Sequence, residues 1–429
     1  MNINTQLNKR QNLNIYGFYR LFNYKETSNK YAEYAYHINN GFGLQYNLNL
    51  YTGNIQHILS IGADFAAQTI KIHKFKSLPI KNRIDKLNDE NLESDTLLAN
   101  ENILQKSNVI YMAYTMQLNN FTLVANCSYD KRFNGLIEKN KIENPLTSIY
   151  FSNVSYRLGA SYYTPIRLTL YTNFSQGFMP PTTEELAANP FGYSGFNTNL
   201  KPAYANSYEI GMRGNLLNRI FYDLTAFLMN TKNDFFRFKQ HNRGNQEVFY
   251  GNAGNSKRLG IELFTNIDIT KNLTVQTAYT FSDFRYTSAS IDPIYIDTTY
   301  ILTYPPAAGQ YLPNSPKHRL YAELNYELKH WNFNIATIYT SDWVIYTDRR
   351  IYKGDLDPKI YRNIQPGYNL YNASISYNFE LKKLNVQIAL AARNITNVKY
   401  IAFTEPDYDG NAYHPGTARE VLAKIKIKF

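Results

Sequence analysis

Arg349 and Arg350 stand side by side in the run Tyr346-Thr-Asp-Arg-Arg-Ile-Tyr352, bracketed by tyrosines. Guanidinium groups grip carboxylates and other oxygen-rich anions through forked hydrogen bonds, and aromatic faces add stacking and cation–π attraction. Together they suit an anionic, aromatic chelate of a metal. Phe191 and Tyr193, in Phe191-Gly-Tyr-Ser-Gly-Phe196, and the pair Tyr300 and Tyr304 offer similar aromatic surface. The competing reading of all these segments is an interfacial aromatic girdle with solvated arginines.

Catalytic and metal chemistry find less support. The seven histidines, His37, His57, His73, His241, His318, His330 and His414, sit in no metal-binding or triad-like motif. His414 lies near Asp407 and Asp409 in sequence, which would suit a base beside carboxylates, but an outward loop is polar for ordinary reasons of solvation. Cys127 is the only cysteine, which excludes internal disulfides and cysteine-based metal sites. Gly251-Asn-Ala-Gly254 opens a strand with no helix behind it, so it is no phosphate cradle. The acid-rich run from Asp85 to Glu101 reads as a solvated loop. No enzyme activity, resident cofactor or metal site is expected.

The elements that carry these residues are legible in the alternation. In Val421-Leu-Ala-Lys-Ile-Lys-Ile-Lys-Phe429, Val421, Ala423, Ile425, Ile427 and Phe429 share one strand face and Lys424, Lys426 and Lys428 the other. The same period returns in Leu44-Gln-Tyr-Asn-Leu-Asn-Leu50, Leu320-Tyr-Ala-Glu-Leu-Asn-Tyr-Glu-Leu328 and Tyr371-Asn-Ala-Ser-Ile-Ser-Tyr-Asn-Phe379. Apolar outside and polar inside is the pattern of a transmembrane antiparallel β-barrel with a wet lumen. A soluble sandwich would strand those lysines and amides in a dry interior. A propeller would show a repeat of about 40 to 45 residues, and none is present.

Composition agrees. The 429 residues show no break that would mark a linker, and with 39 tyrosines and 25 phenylalanines the chain is rich enough in aromatics for girdles at two membrane interfaces. A mean hydropathy of -0.45 argues against spanning helices, and no stretch reaches the roughly 18 apolar residues that one requires. The net charge of +11 is scattered and carried by no nucleic-acid-binding motif, so nucleic acid is not an expected partner. Met1 to Arg10 contains no apolar segment of the kind found in a signal peptide.

Alternation predicts about sixteen strands, near 12-23, 40-51, 54-69, 107-118, 121-133, 148-160, 165-177, 204-215, 219-236, 247-268, 271-286, 316-328, 331-342, 366-378, 383-394 and 419-429. Short turns such as Thr52-Gly53 and Asn119-Asn120 alternate with long loops at about 24-39, 70-106, 134-147, 178-203, 237-246, 287-315, 343-365 and 395-418. Short periplasmic turns and long extracellular loops form the ladder of an outer-membrane barrel.

Specific motifs add a resemblance. Gly177-Phe-Met-Pro-Pro181, Leu200-Lys-Pro202 and Tyr208-Glu-Ile-Gly211 occur in the order and spacing seen in the barrels of TonB-dependent outer-membrane receptors. Asn252-Ala-Gly-Asn-Ser-Lys-Arg-Leu-Gly-Ile-Glu262, Ala392-Arg-Asn-Ile-Thr-Asn-Val-Lys-Tyr400 and Pro415-Gly-Thr-Ala-Arg-Glu-Val421, running into a terminal Phe429, resemble further parts of the same barrel. The resemblance implies TonB-dependent uptake of a scarce nutrient, first among them a ferric siderophore, across a Gram-negative outer membrane. It implies outer-membrane lipid, lipopolysaccharide, a small-molecule metal chelate and the TonB energising complex as partners. It also implies about twenty-two strands around a plug. Residues 1-429 would then be an N-terminally truncated barrel without its plug, and a passive pore or an inactive remnant are the alternative readings.

Overall fold

The computed structural model describes residues 1-27, 31-77, 93-140, 146-189, 195-239, 248-288, 295-296, 302-304, 306-351, 359-381, 384-407 and 410-428. The chain divides into two compact units, Met1–Leu158 with Ser175–Ala203, and Gly159–Phe174 with Tyr204–Phe429.

The first unit holds β1 (Asn2–Asn8), β2 (Gln11–Thr27), β3 (Tyr31–Thr52), β4 (Ile55–Ser77), β5 (Glu93–Leu118) and β6 (Phe121–Glu138). It also holds most of β7 (Leu146–Tyr163), the end of β8 (Leu168–Met179) and the short helix α1 (Thr183–Ala187). From β1 to β6 each strand pairs antiparallel with the next. Two-residue connections close the tight ends, and Gly53 and Asn119 take up the positive φ that such turns demand.

The second unit contains β9 (Ala203–Leu216), β10 (Ile220–Lys239), β11 (Val248–Asp268), β12 (Leu273–Tyr286), β13 (Tyr295–Ile296), β14 (Leu302–Tyr304), β15 (His318–Leu328) and β16 (Trp331–Thr340). It continues with β17 (Trp343–Ile351), β18 (Lys359–Gln365), β19 (Tyr368–Leu381), β20 (Leu384–Arg393), β21 (Ile401–Asp407), β22 (Gly410–Pro415) and β23 (Glu420–Lys428). The long strands form one antiparallel meander, β9-β10-β11-β12-β15-β16-β19-β20-β23. The other six make a four-stranded sheet, β13-β14-β17-β18, and the hairpin β21-β22.

Register sorts the faces as period two requires. On one face Phe333, Ile375 and Leu390 stand opposite one another, as do Ile388 and Ile425. On the other, Asn334 meets Ser374, and Gln387 meets Lys426. Ile210, Ile335 and Ile425 on the apolar face are 66%, 60% and 67% exposed. A continuous apolar surface of this kind is stable against hydrocarbon and unstable in water. In the first unit Cys127 lies opposite Met112 on the apolar face of its own strands and is exposed.

The polar faces are hydrogen-bonded internally. Glu323 Oε1 accepts from Asn325 Nδ2 at 2.6 Å and Asn334 Nδ2 at 2.5 Å. Tyr16 Oη donates to Asp64 Oδ1 at 2.5 Å. Glycine is required where a ring lies flat across a neighbouring strand: a Cβ on Gly62 would fall 2.3 Å from Tyr111 Cζ, and one on Gly211 2.3 Å from Tyr171 Cζ.

All sixteen expected strands are present, but several boundaries move. β2 runs to Thr27, β3 starts at Tyr31, β4 runs to Ser77 and β5 starts at Glu93. Much of the expected loops 24-39 and 70-106 is therefore strand. The ladder continues because its rows remain complementary above the membrane band, as in His37, Ile70, Ile103 and Leu136. The acid-rich run is strand from Glu93 onward, and Glu101 pairs with Ile72 and Glu138. Asn2–Asn8 adds a strand before the expected first one, with Asn4 opposite Asn14.

Candidate functional site

In the first unit, two neighbouring cross-strand rows of the polar face make a site. Arg20, Asn39, Gln68, Gln105 and Asn134 stand in register across β2 to β6, and so do Phe18, Gly41, Ala66, Ser107 and Arg132 one rung nearer the tight turns. All of these but Gly41 line a cavity of about 470 Å³, whose remaining wall is Asn40, Ala67, Lys106, Pro180, Pro181 and Thr182.

The proline-rich segment reaches this face through α1. Thr182 caps the helix, its Oγ1 accepting from Glu185 N at 3.2 Å while Glu185 Oε2 accepts from Thr182 N at 2.8 Å. Thr183 is buried, and its Oγ1 accepts from Gln105 Nε2 and donates to Asn134 Oδ1 at 3.4 Å. Leu186, Phe196 and Leu200 are buried in the same unit, as are Ile103 and Leu136. Buried apolar area plus two amide bonds hold the segment where prolines restrict its backbone.

The two arginines of the cavity differ. Arg132 forks onto Asp130, with Nη2 2.9 Å from Oδ2 and Nε 3.1 Å from the same oxygen, so its charge is largely compensated. Arg20 has its guanidinium 5.5 Å from the Phe18 ring centroid and no carboxylate within ion-pair distance among the described residues. A cation over an aromatic face, with amides alongside, can receive an oxygen-rich anion. Sequence reading missed these residues because each is an ordinary polar position on its own strand. Their grouping follows from register across five strands.

In the second unit, the segment with Tyr346, Arg349 and Arg350 is strand β17, the middle of the four-stranded sheet. Arg349 lies opposite Tyr304 on one side and Ile360 on the other, Arg350 opposite Thr303 and Lys359, and Tyr346 opposite Asn363. Arg349 and Arg350 occupy consecutive positions of that strand, and their side chains lie outside the described residues. Tyr352, Phe191, Tyr193 and Tyr300 lie outside the described residues. The sheet is rooted by buried Trp343, Val344 and Ile345, with Trp343 edge-on to Tyr368, which packs 4.4 Å from Tyr400. Asn314 and fully buried Thr404 exchange two hydrogen bonds, Asn314 Nδ2 to Thr404 O at 2.7 Å and Thr404 Oγ1 to Asn314 Oδ1 at 2.8 Å. His414 packs against Phe403 across the β21-β22 hairpin, with ring centroids 5.5 Å apart and planes tilted by 42°, while Asp409 lies outside the described residues.

Comparison with known proteins places these features. Residues 2–397 match the family described as TonB dependent receptor-like, beta-barrel. An uncharacterized TonB-dependent receptor of Haemophilus influenzae is 22% identical over 325 residues, which are 72% of this chain and 83% of that protein. Among solved structures, the ferric citrate transporter FecA superposes with a TM-score of 0.73 at 16% identity, over 99% of this chain and 60% of FecA. The siderophore receptor PiuA of Acinetobacter baumannii gives 0.71 at 17% identity, over 100% of this chain and 63% of PiuA. The copper transporter OprC gives 0.70 at 13%, over 98% of this chain and 63% of OprC. The chain thus spans about three fifths of the length of these solved proteins. Proteins of this family are transporters and receptors of the Gram-negative outer membrane. On the family match and the strand pattern together, this chain belongs to the TonB-dependent receptor-like β-barrel family, with that family's all-β, antiparallel transmembrane architecture.

Proposed function

We propose that the chain is the barrel of an outer-membrane receptor that captures a metal chelate, first among candidates a ferric siderophore, and admits it with energy from TonB. The observation that carries this reading is the Arg20 cavity, where an uncompensated guanidinium, an aromatic ring and a row of amides face the same space. Such a lining suits a soluble anion whose metal is already wrapped in oxygen ligands. In this reading Arg349, Arg350, Tyr346, Tyr352, Phe191 and Tyr193 gather the cargo at the outer loops, and the protein keeps no resident cofactor.

Uptake of radioiron by the native strain and by a strain lacking this gene, over a panel of siderophores and ferric citrate, tests the reading. Loss of uptake for at least one chelate, with equal loss when TonB is removed, is expected. Unchanged uptake of every chelate would refute it.

A further inference from the structure

His37 lies outside the lining of the Arg20 cavity, yet it touches one of the residues that form it. It stands opposite Phe22 on β2 and Ile70 on β4, one rung beyond the row of Arg20, Asn39 and Gln68. Fifteen residues separate it from Thr52 at the tight turn. That is about 50 Å of strand, or roughly 39 Å along the membrane normal at a tilt of about 40°, well past an apolar band of about 25 Å. His37 therefore belongs to the water-filled end of the polar face.

Two contacts hold the ring. It stacks on Phe22 with centroids 4.2 Å apart and planes 11° from parallel, and its Nδ1 lies 3.4 Å from Gln68 Nε2. An aromatic face accommodates imidazole and imidazolium alike, so a change of proton leaves the ring in place. The amide must respond instead. A neutral ring protonated on Nε2 accepts from the Gln68 amide at Nδ1, and an amide with its nitrogen turned to His37 leaves its oxygen to the cavity that Gln68 lines. Once Nδ1 carries a proton, two donors face each other. Turning the amide over removes the conflict and presents its nitrogen to the cavity, which exchanges an acceptor for a donor and lies beside one more positive charge.

Burial holds the His37 pKa below the ordinary imidazole value, against an opposing pull from Glu33, so the neutral ring prevails at about pH 7. The other ionisable groups at this end of the face are Arg20, Tyr24 and Glu26 on β2, Tyr31 and Glu33 on β3, and Lys74 and Lys76 on β4. Glu33 is taken by Lys74 Nζ at 2.8 Å. None of these groups is an imidazole, and His73 belongs to the opposite face.

We infer that His37 is a positioning residue of the Arg20 cavity: it sets which end of the Gln68 amide faces the cargo, so that the site grips an oxygen-rich anion more tightly once the ring is protonated. The inference rests on the reading of that cavity as an anion site. Affinity should rise as pH falls through the His37 pKa, and by linkage a bound anion should raise that pKa.

The probe is the tris(oxalato)chromate(III) trianion, which is substitution-inert and keeps its charge over the range used. Its binding to the full chain in nanodiscs can be followed by calorimetry between about pH 7.5 and about pH 5, with the histidine rings followed by NMR. Wild type should bind about fivefold more tightly at the acid end. His37→Gln should bind with an affinity that no longer depends on pH. Gln68→Met should lose most of the dependence while the His37 resonance still titrates. A flat wild-type profile, or an unchanged profile in either variant, would overturn the inference and leave the anion site standing. Absence of binding at every pH would refute the anion site itself, and this inference with it.

Discussion

Arg258 Nη2 lies 2.7 Å from Asp234 Oδ2 where β10 bulges against β11, and the pair is knotted into its surroundings. Arg258 Nη1 donates to Thr231 Oγ1 at 2.7 Å and to Ser256 Oγ at 2.9 Å, and Ser256 in turn donates to Asp234. The Asp234 side chain is only 7% exposed. Removing the arginine leaves a carboxylate that water scarcely reaches. Arg258→Met should therefore destabilise the protein by about 3 kcal/mol, and adding Asp234→Asn should recover part of the loss. Urea unfolding in detergent, read by tryptophan fluorescence, measures both; a double variant as unstable as the sum of the singles would show that the pair is not coupled.

Face assignment makes a sharper demand. Ile375 stands opposite Phe333 and Leu390, whereas its neighbour Ser376 stands opposite Asn332 and Ala389. Ile375→Lys should cost about 2–4 kcal/mol, the penalty for a lysine facing mid-bilayer lipid, and Ser376→Lys should be mild. Folding yields into vesicles rank the two, and equal yields would mean that the faces are misassigned.

The Tyr111 ring occupies the space above Gly62. Gly62→Val should force the ring off its rotamer and cost about 1–3 kcal/mol. Combining it with Tyr111→Ser should restore most of the stability, because the colliding ring is gone. Thermal loss of the compact electrophoretic form provides the comparison, and failure of the second change to rescue would refute the packing account.

Arg20 lines the cavity with no carboxylate partner among the described residues. Arg20→Gln should weaken chelate binding about tenfold, the equivalent of one charge-assisted hydrogen bond, with folding unchanged. Arg132→Gln should have a smaller effect on binding, since Asp130 already neutralises that side chain. Equilibrium binding of the chelate identified by uptake decides; equal losses from the two would remove Arg20 from its special place.

Much of this was legible in single strands. Period two marked all sixteen long strands, because a strand between lipid and water must alternate, and it put Ile425 and Lys426 on opposite faces before any coordinates were needed. Asn119-Asn120 and Thr52-Gly53 marked the tight turns, because only Gly and Asn take the required positive φ cheaply. The motifs from Gly177 to Gly211 pointed to the family. The chain alone thus determined the element type, the face of each residue and the kind of membrane it suits.

What lies opposite what was decided by tertiary structure. Arg20, Asn39, Gln68, Gln105 and Asn134 form one row only because five strands settle into one register, and a slip of two residues would keep every face yet scatter the row. Strand ends were hidden for a related reason: beyond the membrane band no solvent rule imposes alternation, so β4 and β5 extend as far as their cross-strand partners fit. The seating of α1 depends on Thr183 finding Gln105 and Asn134, which lie 78 and 49 residues away. Alternation is a local response to two solvents, whereas a site assembled from five strands is a property of their register.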